Sequence, residues 1–195
     1  MFYKIAYVLM NVVFRLVFRP RIRGRENIPE GAALVCANHT ASSDPIFLAL
    51  GMTIHHQVHF MAKAELLRNP FKRLILRGLG AFAVHRGESD MKAIRTAFTL
   101  LKQGKKVGMF PEGTRVQGDD MAQAKTGAAM LAARSGAPFL PVSITPGGRK
   151  HLFSRIDIVI GQPYGLEDKK ASPERYRAIA DELMKRIYDL APAKN

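Results

Sequence analysis

Apolar and polar positions along this chain fall into short blocks whose period switches repeatedly between that of a strand and that of a helix. Residues 32–37 form a compact apolar run between Gly31 and Asn38, which predicts a buried strand. The polar stretch Asn38-His39-Thr40-Ala41-Ser42-Ser43-Asp44 follows, and Asp44-Pro45 then opens a helix, with Asp44 as its cap and Pro45 in its first turn. Further strands are predicted at 22–27 (an edge strand), around 58–61, and at 80–84, 107–110, 139–144 and 156–161, with Pro141 implying an edge position or a bulge for its run. Between them lie helical patterns. One spans 66–79 with a basic face. A second starts at Ser89-Asp90, carries a core stripe of Met91, Ile94, Phe98 and Leu101, and stops at Gly104. A third, alanine-rich, covers 121–135, and the last opens at Ser172-Pro173-Glu174 with Tyr176, Ile179, Ala180, Leu183 and Ile187 on one face. Strand alternating with helix predicts a single α/β domain with a mixed, largely parallel central sheet flanked by helices.

The N-terminus has a different pattern. Residues 1–18 are mostly apolar, but Lys4, Asn11, Arg15 and Arg19 share a stripe roughly 80° wide on a helix turning about 100° per residue. A broad apolar face beside a narrow cationic stripe suits an amphipathic helix lying in a lipid interface. Internal Lys, Asn and Arg weaken a spanning helix, and the flank Arg19-Pro20-Arg21-Ile22-Arg23 carries no cleavage site of a signal peptide. The expected organisation is therefore 1–19 as a membrane-associating helix and 20–195 as the α/β domain.

Composition sharpens this. In 195 residues, 47% hydrophobic, there is ample material for one core, and a formal charge of +14 draws the surface toward polyanions. No nucleic-acid-binding motif accompanies the charge, and the basic residues lie on amphipathic segments, so an anionic membrane surface is the expected partner and nucleic acid is not. The single cysteine, Cys36, lies within the predicted buried strand and reads as an inert core thiol. His55, His56 and His59 lack acidic or thiol partners at a familiar ligand spacing, so no metal site is expected.

The chemistry is expected just past the first buried strand. A strand, a short turn and a helix start fold His39 and Asp44 back toward each other, which suits a general base whose far ring nitrogen is held by a carboxylate. Arg86 and the block Glu112-Gly113-Thr114-Arg115 also follow predicted strands, where functional residues of α/β sheets collect.

Asn38-His39 with Asp44, residues 80–86, Phe110-Pro111-Glu112-Gly113-Thr114-Arg115 and residues 138–144 together resemble the four ordered blocks of the glycerophospholipid acyltransferases, whose best-known members act on 1-acylglycerol-3-phosphate. The similarity runs from about residue 23 to about residue 161. It implies that His39 deprotonates an acceptor hydroxyl and that Asp44 orients it. It also implies that Lys63, Arg86, Glu112, Gly113, Thr114 and Arg115 hold the acceptor's phosphate and that 138–144 shapes the acyl pocket; because a carboxylate beside a phosphate is repulsive unless paired, Glu112 is expected to direct a neighbouring arginine or lysine. The implied reaction transfers an acyl group from acyl-CoA or an acyl-carrier protein to a lysophospholipid, giving phosphatidic acid in phospholipid biosynthesis. No cofactor is expected beyond that co-substrate, and the implied location is peripheral or monotopic, on the cytoplasmic face of the membrane. The rivals are a serine hydrolase using Ser42 or Ser43, which lacks a G-x-S-x-G elbow, another lyso-lipid acceptor, and a non-catalytic lipid-binding protein of the same fold.

Overall fold

The computed structural model describes residues 2–84, 91–113, 124–146, 155–166 and 171–192. Its seven strands are β1 (Arg21–Arg23), β2 (Ala33–Ala37), β3 (Val58–Lys63), β4 (Ala81–Val84), β5 (Lys106–Met109), β6 (Phe139–Pro146) and β7 (Ile156–Ile160). The helices are α1 (Phe2–Phe18), α2 (Asp44–Gly51), α3 (Pro70–Gly78), α4 (Met91–Lys102), α5 (Gly127–Ser135) and α6 (Pro173–Asp189). One sheet holds all the strands in the order β1-β7-β6-β2-β5-β3-β4. The pairs from β6 through β2, β5 and β3 to β4 are parallel; β7 lies antiparallel to β6, and β1 parallel to β7. The sheet is thus mixed and largely parallel, as the alternation of elements predicts.

Every residue of β2 is buried, because the sheet is covered on both sides. Leu34 and Cys36 face a core with Val107, Phe139 and helices α4, α5 and α6. Ala33, Val35 and Ala37 face the other core, with Val58, Leu140, Val142 and α2. The alanines of α5 (Ala128, Ala129, Ala132 and Ala133) are nearly inaccessible. Small side chains let that helix approach the sheet closely.

Three local expectations need correction. The edge strand is only Arg21–Arg23, because Gly24 turns the backbone to φ 81° and a 3-10 turn, Arg25–Asn27, follows. Residues 66–79 divide into a 3-10 turn, Ala64–Leu67, and α3 starting at Pro70. On α4 the buried positions are Ala93, Ala97 and Leu101, whereas Met91 is half-exposed: the helix sits low over the sheet on its alanines, and the larger side chains splay to the side. Pro141 is in the sheet interior, between β2 and β7, so of the two settings expected for it, an edge or a bulge, the bulge is the one found. It is tolerated because β7 ends beside it. The Pro141 carbonyl accepts from Gly161 N–H at 2.9 Å, and the pairing then slips by one residue, from Val142↔Ile160 to Phe139↔Tyr164. An extra residue in the facing chain is the bulge that a proline without an N–H requires. The alanine-rich helix begins at Gly127; residues 121–123 and the Ser89-Asp90 start of α4 lie outside the described residues.

Helix α1 divides into three sectors. Tyr7, Phe14 and Phe18 turn inward: the Tyr7 hydroxyl donates to the Met52 carbonyl at 2.8 Å, and both phenylalanines meet Phe47 of α2 edge-on at 5.3 Å. A polar stripe comes next, with Arg15 Nε donating to Asn11 Oδ1 at 2.7 Å. Beyond it, Ile5, Val8, Leu9, Val12, Val13 and Leu16 are all exposed, Leu16 by 73%. On neighbouring α3, Phe71 and Leu74 are exposed as well. Among the described residues no helix is long and apolar enough to cross a membrane.

Candidate active site

The site originates in the register of two adjacent parallel strands. Cys36 of β2 pairs with Met109 of β5, so the chains leaving these strands start level at the same end of the sheet. Three residues beyond Cys36 is His39, and three beyond Met109 is Glu112. They meet: the backbone N–H of His39 donates to Glu112 Oε2 at 2.9 Å.

Asn38 makes the exit of β2 rigid. Its amide is buried, accepts from the Ile144 N–H at 2.8 Å and donates to the Ile144 carbonyl at 2.9 Å. A side-chain amide thus repeats the donor and acceptor of a backbone peptide and carries the β2–β6 ladder one step past its end.

The chain then turns so that Asp44 reaches back under His39. One carboxylate oxygen, Asp44 Oδ2, accepts from Thr40 N–H at 2.6 Å, from Ala41 N–H at 2.7 Å and from His39 Nδ1 at 2.9 Å. Asp44 therefore caps the turn before α2 and not the first turn of α2 itself, where Ser43 is the capping position and Pro45 follows. The carboxylate is 2% exposed, and the imidazole side chain 19%. A carboxylate can only accept, so Nδ1 carries the hydrogen of this contact, and in the neutral imidazole Nε2 presents its lone pair. Phe110 stacks on the ring, with centroids 4.3 Å apart and planes 25° from parallel. The ring is thereby held by its edge and its face, and through its own backbone amide.

Glu112 is buried, and among the described residues its partners are the His39 amide and the Tyr188 hydroxyl, which donates to Oε1 at 2.7 Å. Burial pushes its carboxyl above the ordinary range, while the bonds from Tyr188 and His39 and the facing imidazole pull it back, and the Asp44 charge pushes it up again. Among the described residues this carboxylate holds the motif backbone, and the arginines Arg86 and Arg115, which it is expected to direct, lie outside them. Gly113 has φ 72°, a conformation that disfavours a side chain, and a Cβ there would lie 2.5 Å from Cε and 2.9 Å from Nζ of Lys125. The Lys125 side chain thus lies over the glycine expected to approach a ligand. It brings a cation beside the block that the sequence did not mark.

Lys63 ends β3, one strand beyond β5 in the sheet; its side chain, like Arg86, Thr114 and Arg115 in their entirety, lies outside what the structure describes. The residues brought together are His39, Asp44, Glu112 and Gly113. Asn38, Phe110, Lys125 and Tyr188 join them. Asn38 and Phe110 belong to the motif blocks, but Tyr188 and Lys125 have no local signal, because only the packing of α6 and the approach to α5 bring them in. Cys36 is fully buried, and burial pushes its thiol well up, so it takes no part. His56 lies 3.9 Å from Glu30, away from these groups.

Comparison with known proteins places this geometry in context. Residues 19–145 match the family model described as Acyltransferase. The 1-acyl-sn-glycerol-3-phosphate acyltransferase of Bacillus subtilis (strain 168) is 33% identical over 194 residues, spanning 96% of each chain. That of Borreliella burgdorferi is 32% identical over 130 residues, 63% of this chain and 50% of its own length. Among solved structures, the crystal structure of the 1-acyl-sn-glycerophosphate (LPA) acyltransferase PlsC from Thermotoga maritima superimposes with a TM-score of 0.74. It is 28% identical and covers 96% of this chain and 79% of that one.

Proposed function

The chain belongs to the acyltransferase family, and on that premise we propose that it moves an acyl group from a thioester to the free hydroxyl of 1-acylglycerol-3-phosphate, giving phosphatidic acid, with His39 as general base. One observation carries this reading: Asp44, itself fixed by two backbone amides, holds Nδ1 of His39 at 2.9 Å and leaves Nε2 for proton chemistry.

The acceptor hydroxyl gives its proton to Nε2 as its oxygen attacks the thioester carbonyl. Asp44 stabilises the imidazolium as it forms. The tetrahedral intermediate collapses with cleavage of the C–S bond, and the imidazolium returns its proton to the leaving thiolate. The products are the new ester and a free thiol. No acyl-enzyme is needed, and no cofactor enters apart from the donor, acyl-CoA or an acyl-carrier protein. Lys63, Arg86, Thr114 and Arg115, with Gly113 and Lys125, supply the positive pocket for the acceptor phosphate. A bidentate guanidinium is the strongest of these anchors. Holding both substrates in line provides much of the acceleration.

Acceptor and product are lipids, and the exposed apolar sector of α1, with Phe71 and Leu74 of α3, suits docking on the cytoplasmic face of a bilayer as a peripheral or monotopic protein. The Lys4–Arg15 stripe flanks that sector and suits anionic headgroups.

The test is His39→Ala. Transfer of labelled acyl chains from a thioester to lysophosphatidic acid collapses while flotation with anionic vesicles persists; unchanged turnover removes His39 from the mechanism. An acceptor screen with and without a phosphate monoester checks the substrate class, and preference for an uncharged lyso-lipid rejects it.

A further inference from the structure

We propose that Tyr188, near the end of the C-terminal helix, is a positioning residue for the acyl-transfer reaction: its hydroxyl holds Glu112, and Glu112 holds the backbone of His39. The inference rests on the reading of His39 as the general base.

The chain of contacts is short and continuous. Tyr188 Oη donates to Glu112 Oε1 at 2.7 Å, and Glu112 Oε2 accepts from His39 N–H at 2.9 Å. Tyr188 and His39 are 149 positions apart in sequence, yet two hydrogen bonds join them. The outer end of this link is fixed, because α6 buries Ile179, Ala180, Leu183, Met184 and Ile187 against the sheet and neighbouring helices. Arg177 of the same helix donates to the Ala124 carbonyl at 2.6 Å, and the Arg186 guanidinium lies 4.1 Å from the Tyr164 ring centroid. The hydroxyl is therefore delivered from a helix with little freedom to shift.

The choice of groups points to position and not bulk stability. A buried carboxylate bridging two donors is seldom more stable than apolar packing of the same shape. Here it is aimed at the amide of the residue whose imidazole must meet the acceptor hydroxyl. Asp44 orients the ring and Phe110 supports its face; the Glu112–Tyr188 pair sets where the residue itself sits. To accept from both donors Glu112 works as an anion, although burial favours its neutral form. Among the described residues the groups facing it are Tyr188, His39 and Asp44. Removing the tyrosine hydroxyl takes away the first of the two bonds that keep the carboxylate charged.

Tyr188→Phe tests this with no change of shape. The expected result is a fall in kcat of about tenfold, the size of one lost charge-assisted bond, with KM for donor and acceptor unchanged. The acid limb of the kcat profile also moves to higher pH, since Glu112 protonates more readily without the hydroxyl. Glu112→Gln, which can keep both contacts without titrating, removes the contribution of Glu112 to that limb, so that Tyr188→Phe in this background no longer moves it. Amide hydrogen exchange at His39 supplies a readout independent of turnover and accelerates in Tyr188→Phe by more than the accompanying fall in the urea midpoint accounts for. An active wild type whose Tyr188→Phe variant keeps its kcat and its pH limb overturns the proposal, as does a rise in acceptor KM alone. An inactive wild type overturns instead the general-base reading, and unchanged exchange at His39 then refutes the Tyr188 link separately.

Discussion

Replacing Asp44 by asparagine separates the two tasks that one carboxylate oxygen performs. Asp44 Oδ2 accepts from the Thr40 and Ala41 amides at 2.6 and 2.7 Å and from His39 Nδ1 at 2.9 Å. Asparagine keeps a carbonyl oxygen for those donors and loses only the charge. At 2.9 Å and an effective dielectric of about 20, the attraction between carboxylate and imidazolium is about 6 kcal/mol, an upper bound on what the reaction loses. About 1.4 kcal/mol per power of ten converts that to at most roughly four orders of magnitude in kcat. Asp44→Asn should therefore lose about 10³- to 10⁴-fold in kcat with little change in KM and a nearly wild-type urea midpoint. Asp44→Ala strips both amides of their acceptor as well and should lose about 2–4 kcal/mol of stability in addition. Initial rates of thiol release with lysophosphatidic acid, alongside urea unfolding followed by circular dichroism, measure the two effects independently. The reasoning is refuted if Asp44→Asn retains more than about a tenth of the wild-type kcat, or if its activity falls only in step with its unfolded fraction.

Asn38→Ala removes both bonds to the Ile144 backbone from a buried site and should cost about 2–4 kcal/mol in urea unfolding. Gly113→Ala meets both the φ of 72° and the Lys125 side chain, so it should lower stability by about 1–2 kcal/mol and lower kcat/KM for the phosphate-bearing acceptor. Leu9→Glu combined with Leu16→Glu alters exposed positions only; flotation with anionic vesicles should fail while turnover of detergent-dispersed substrate and the unfolding midpoint persist. Cys36 should resist thiol reagents at pH 8 in the folded protein and react at once on unfolding, because burial holds the thiol protonated.

What the sequence made legible was what depends on neighbours along the chain. The β2 apolar run, the turn and Asp44-Pro45 foretell a strand–turn–helix that folds an aspartate under a histidine, and the contact is there. The alternation of elements gave the largely parallel sheet. Terms set by distant partners were hidden. Glu112 looked like a companion for a cation because its neighbours in sequence, Gly113, Thr114 and Arg115, suit a phosphate; its described partners come from β2's exit and from α6. Pro141 implied an edge or a bulge because a missing N–H breaks a ladder, and only the early end of β7 and the slipped pairing at Tyr164 decide for the bulge. Met91 fell on the periodic apolar stripe of α4, yet that helix rests on Ala93 and Ala97, too small to stand out in a pattern of large hydrophobic residues.

The level exit of β2 and β5 has a consequence for how the protein comes into being. These strands are side by side in the sheet but the chain builds α2, β3, α3, β4 and α4 between them, so the histidine emerges from the ribosome long before the glutamate that grips its backbone. With His39 as the general base proposed above, a nascent chain is expected to be chemically idle until the sheet has closed around its central pair. Turnover then serves as a reporter of completed long-range folding, and refolding experiments should recover it later than helical circular dichroism.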